Sequence, residues 1–173
     1  MSQQFLEATR LLDSTITANK IANANVNSSK LASNLSISIV NALETANIFS
    51  TAVGGNVNID VLNNTVYFFS SNTTANVTFN LRGNNITTLQ NTLSIGRSVS
   101  VAILLKQGAN TFKSNVYIDG TLVSPFWAAN SAPNYVTGTN ESIDLYALNV
   151  IKTGDSSYTV LGSNTKFGSA LGQ

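Results

Sequence analysis

Cysteine and histidine are both missing from this 173-residue chain. Without thiols there is neither a disulfide framework nor a thiolate metal site. Without imidazole there is no ready general base near neutral pH, no His-dependent Ser or Cys nucleophile, and none of the commonest zinc ligand. Charge is nearly as scarce, at 10% of residues, where about 25% is ordinary for a globular domain. Nine Lys and Arg against eight Asp and Glu leave no field to steer the chain onto nucleic acid or an anionic membrane, so neither is an expected partner. No apolar run approaches the roughly 18 residues of a membrane span. Met1 opens onto SQQFLEATR, which lacks the basic and apolar regions of a secretion signal, and synthesis in the cytoplasm is expected.

What is abundant instead is Asn, Ser and Thr, mixed with 43% apolar residues. In the first forty positions this mixture is periodic. Leu6, Leu11, Ile16, Ile21, Val26 and Leu31 fall at an unbroken spacing of five, and Arg10, Lys20 and Lys30 add a ten-residue repeat. TITANKIANA is followed by NVNSSKLASN, each apolar at its second and seventh positions and basic at its sixth. A step of five turns an α-helix by about 140°, which spirals the apolar residues around it, and in a strand the same step alternates faces. The beat suits an extended, turn-containing path that presents one apolar side chain at a time to an axis or a partner surface. One such strand of chain buries too little to offset its ordering entropy, so residues 1–45 are expected to be an attachment segment that needs other copies or another protein.

From about residue 46 the texture changes to short β-branched and aromatic runs separated by Gly and Asn clusters. Strands are expected at 56–62, 65–71, 75–81, 99–106, 111–119, 142–152 and 157–162. Val57, Ile59 and Val61 share one face, as do Val77, Phe79 and Leu81, and Val99, Val101, Ile103 and Leu105. Asn63-Asn64, Gly83-Asn84 and Asp119-Gly120 read as turns requiring positive φ, the last being the best hairpin signal. Pro125 and Pro133 fall in an irregular stretch, 124–139, whose Phe126 and Trp127 are expected to plug one end of a sandwich or barrel.

Two stretches carry a family likeness. VSVAILLKQG, SPFW, NESIDLYALNV and IKTGDSSYTVLGSNTKFG together resemble a domain of virion structural and fibre proteins of tailed bacteriophages, especially those of marine cyanobacteria. ITANKIANANVNSSKLASN resembles the TTAKIA-type repeats found upstream in phage fibre proteins. The resemblance implies an all-β chain: an extended segment at 1–45, followed at 46–173 by an antiparallel β-sandwich (jelly-roll-like) assembled as a homotrimer. It also implies docking on other virion structural proteins through residues 1–45, and location in the virion. The chain is brief for a long tail fibre, which favours a short fibre, a head decoration (cement) protein or a neck appendage.

Chemistry is sparse. The carboxylates of the C-terminal half are Asp119, Glu141, Asp144 and Asp155; a glycosidase would need two of them a few ångströms apart. Asp119 and Asp155 are accounted for by turns and Asp144 by the outward face of a strand, so no catalytic residue, metal site or cofactor is expected. A second reading is a receptor-binding module in which Trp127, Asn134, Tyr135 and Asn140, on outer loops, grip a host surface glycan through ring stacking and hydrogen bonds.

Overall fold

The computed structural model describes residues 43–137 and 141–168. Leu6, Leu11, Ile16, Ile21, Val26, Leu31 and the repeat they carry lie outside the described residues, as does Asn140.

The described chain is all-β apart from short helical turns. Its strands are β1 (Ala46–Phe49), β2 (Gly55–Asp60), β3 (Val66–Phe69), β4 (Val77–Arg82), β5 (Ser98–Lys106), β6 (Asn110–Thr111), β7 (Ser114–Ile118), β8 (Thr121–Val123), β9 (Phe126–Trp127), β10 (Val136–Thr137), β11 (Ser142–Gly154) and β12 (Ser157–Gly168). They build a six-stranded sheet in the order β1-β3-β5-β11-β12-β9, a four-stranded sheet in the order β2-β4-β7-β8, and the small pair β10-β6. Six of the seven expected strands are present with shifted ends, β12 running on to Gly168, while the expected strand 111–119 is divided into β6 and β7, which pair in different sheets.

The pairing differs from the antiparallel, jelly-roll-like expectation. β1, β3 and β5 run parallel to one another, and so do β2, β4 and β7. The chain therefore coils: β1 then β2, β3 then β4, β5 then β7, each turn visiting both sheets and stacking on the turn before. Antiparallel pairing is confined to β5-β11-β12, to the β7-β8 hairpin and to β6-β10, while β9 adds to β12 in parallel. Asn63-Asn64 and Gly83-Asn84 are consequently corners that carry the chain from one sheet to the other. None of those four residues has positive φ; Asp119 (φ 48°) and Gly120 (φ 82°) do, at the tip of the hairpin that their sequence predicts.

Corner side chains bind one turn to the next. The hydroxyls of Ser70 and Thr74 donate to the carbonyls of Phe49 and Val53 in the preceding turn, and Thr73 donates to that of Lys106 in the following one. In register along the four-stranded sheet, Asn80 donates to the side chain of Asn58 at 2.9 Å and Arg82 to that of Asp60 at 2.6 Å. Inside the coil, Tyr67, Phe69, Val101, Ile103, Leu105, Tyr146, Leu148, Val150 and Val160 of the larger sheet join Ile59, Val77, Phe79, Leu81, Val116 and Ile118 of the smaller one in a single core. The Phe79 ring meets that of Tyr146 edge-on at 5.3 Å.

Candidate functional site

The carboxylates are engaged structurally. Asp119 accepts the backbone N–H groups of Leu89 and Gln90 at 2.7 and 3.0 Å, capping from across space the short helix α1 (Leu89–Thr92). Asp155 accepts from the side-chain amide of Gln90, and Glu141 lies 4.0 Å from the Lys106 ammonium. Asp144 is the correction: its side chain points inward and is fully buried. It accepts from Gln107 at 3.2 Å, from the Ser142 hydroxyl at 3.3 Å and from Lys166 at 3.4 Å, and Lys166 also donates to Thr111. A buried carboxylate needs such partners, and the inward direction follows from strand alternation with Tyr146 and Leu148. Beside it, burial pushes the Tyr146 phenol up to about 12, the charge of Asp144 adds to the rise, and the nearby Ser114 hydroxyl opposes it. Among the described residues no three His, Cys, Asp or Glu side chains gather where a metal ion would be held.

The outer-loop candidates separate. Trp127 is half-buried, lies edge-on to Tyr146 at 6.4 Å and covers Gly162 so closely that a Cβ there would stand 2.7 Å from its ring. It closes the core. Its neighbour Phe126 is 70% exposed and does not share the plug. Asn134 and Tyr135 are exposed, with the Tyr135 ring tilted against Phe112 at 5.7 Å.

A surface that the loop-centred reading missed is the outer face of the six-stranded sheet. Register places Ile48, Phe68, Leu104 and Leu145 side by side across β1, β3, β5 and β11, forming a ridge of large side chains. The adjacent row on the same face is Ala46, Val66, Ala102 and Ala147, a trough of small ones. Val66, Ala102 and Ala147 line a groove of about 600 Å³ that Phe126 and Leu161 wall on one side. Beyond the ridge the next row is Lys106, Ile143 and Phe167, apolar at two of its three positions, and none of these residues belongs to the core.

No family model, curated protein or solved structure matches the chain. The site has to be read from its own geometry. The sequence did hold a signal for it: Val66 to Phe69 and Val101 to Leu105 are apolar without a break, where a strand wet on one face would alternate.

Proposed function

We propose that this chain is a non-catalytic structural component of a tailed-bacteriophage virion, a short fibre or appendage held to the particle through residues 1–45. The observation that carries this reading is the construction of the β domain. Its turns are tied together by Asn, Ser and Thr side chains, Asp119 and Asp144 are taken up by capping and burial, and the outer face of its six-stranded sheet carries apolar rows suited to packing. A rigid, charge-poor unit of this kind serves an assembly better than a reaction. The two sheets sharing one core act in this reading as a sandwich, and the likeness to fibre proteins implies a homotrimer. A head decoration protein, seated on the capsid by the same segment, is the alternative placement. Mass spectrometry of gradient-purified particles should find the chain at a fixed ratio to the major structural proteins, and gold-labelled antibody should place it at one position on the particle. Its absence from such particles ends the proposal.

A host surface glycan is the second partner to test, favoured by the exposed Tyr135 beside Asn134. Tyr135→Ala is the cleaner probe, because Trp127 is engaged in the core. Adsorption to host cells unchanged by Tyr135→Ala argues against the glycan.

A further inference from the structure

From the outer face of the six-stranded sheet we infer that two copies of this chain pack face to face, the ridge of each seated in the trough of the other. The inference goes beyond the proposed function and does not depend on it, since it rests on the relief of one surface.

Three features of that surface select a second copy as the occupant. The first is shape. The ridge of Ile48, Phe68, Leu104 and Leu145 and the trough of Ala46, Val66, Ala102 and Ala147 are adjacent rows of one face. A twofold axis lying in the plane of the face, midway between the rows, lays Leu104 over the partner subunit's Ala102 and Leu145 over the partner subunit's Ala147. Sheets packed about 10 Å apart interdigitate large into small in this way. A surface that carries both halves of the fit is complementary to itself, the defining property of an isologous pair.

The second feature is extent and make-up. With about 4.8 Å between strands and about 6.6 Å between like-facing residues, the two rows across β1, β3, β5 and β11 span on the order of 250 Å² in projection, and Ile143, Phe167, Phe126 and Leu161 extend the apolar surface at its margins. An apolar centre with a polar rim, here Lys106, Ser100, Asn149 and Thr165 on the same face, is the make-up of a standard interface.

The third feature is charge. The two rows contain no ionisable side chain; Lys106 lies beyond the ridge on the same face and Glu44 at the edge of the groove, so over the rows themselves a copy meets no like charge. Ile48, 64% exposed, is the open end of the ridge, while Phe68, Leu104 and Leu145 are each half-buried with their outer sides left to a partner.

A face-to-face pair gives an even number of copies, so it competes with the homotrimer of the family likeness, and one measurement separates them. Light scattering of the full chain is expected to give twice its 18.3 kDa mass. Ala147→Arg, which fills the trough from a solvent-facing position, is expected to give one chain mass with an unchanged far-ultraviolet circular dichroism spectrum. Should that variant fail to fold, Leu145→Ser, which lowers the ridge, is expected to shift the pair toward single chains by at least tenfold in dissociation constant. A wild-type mass of one chain or of three, or a folded variant of either kind that pairs as tightly as wild type, overturns the inference.

Discussion

Asn80 is held between two turns of the coil: its amide donates to Asn58 at 2.9 Å and its side-chain oxygen accepts the N–H of Gly120 at 2.8 Å. Parallel, in-register stacking explains why this chain is rich in Asn, Ser and Thr and poor in charge. Residues 22 positions apart, such as Asn58 and Asn80, sit over one another, and like charges so placed would repel while amides bond. Where charges do stack they are opposite, as in Arg82 over Asp60. Asn80→Ala removes both bonds and leaves the acceptor on Asn58 without that donor. We expect a loss of about 1 to 2 kcal/mol, read from urea unfolding. Gly162 is constrained for a different reason, since the ring of Trp127 occupies the space of a Cβ. Gly162→Ala should cost about 1 to 3 kcal/mol by overpacking. Because Trp127 is the single tryptophan, its emission should shift to the red as the ring is displaced.

At the level of elements, strands were legible and their pairing was not. Val77, Phe79 and Leu81 alternate inward whether the neighbouring strand runs parallel or antiparallel, so periodicity located β4 without telling its partner. Asn63-Asn64 and Gly83-Asn84 look like hairpin tips because the residues that close a hairpin also turn a corner between sheets. The telling signal was repetition: Asn58 recurs as Asn80 and Ser50 as Ser70, each at the same place in successive turns. Asp119-Gly120 was read correctly as a hairpin, but its second task, capping α1 from 30 residues away, could only be seen in three dimensions. Asp119→Ala loses both cap bonds and strains a positive φ, and should destabilise by about 2 kcal/mol; Asp119→Asn, which tolerates that backbone, should cost less. In the β11-β12 hairpin, Tyr146 makes stability depend on alkaline pH. Its folded pKa of about 12 exceeds the ordinary value of 10, so between those values the unfolded chain has released a proton that the folded chain retains. Stability is therefore whole below pH 10 and falls as pH rises toward 12, by about 1.4 kcal/mol per unit. Tyr67 and Tyr158, also raised by burial, act in the same direction. Urea midpoints from pH 9 to 11.5 should decline in wild type and decline less steeply in Tyr146→Phe.

For the molecule as a whole, scarcity of charge predicts how folding and association respond to salt. The described residues contain three ion pairs, and only Arg82 with Asp60 combines a short contact with partial burial of both partners. Exposed pairs contribute little and are screened within about 10 Å at 0.1 M salt, so screening has almost nothing to remove. The core and the outer face of the larger sheet are apolar, and burial of apolar surface does not weaken with ionic strength. The thermal midpoint should accordingly move by no more than about 2 °C between 20 mM and 500 mM sodium chloride. The pairing of copies through the ridge and trough should hold or tighten over the same range, and sulfate, which favours burial, should tighten it further. Light scattering across a salt series checks this. Association that fades steadily with added sodium chloride would mean that charged residues outside the apolar rows hold the copies together, and the packing of ridge into trough would not be the force that joins them.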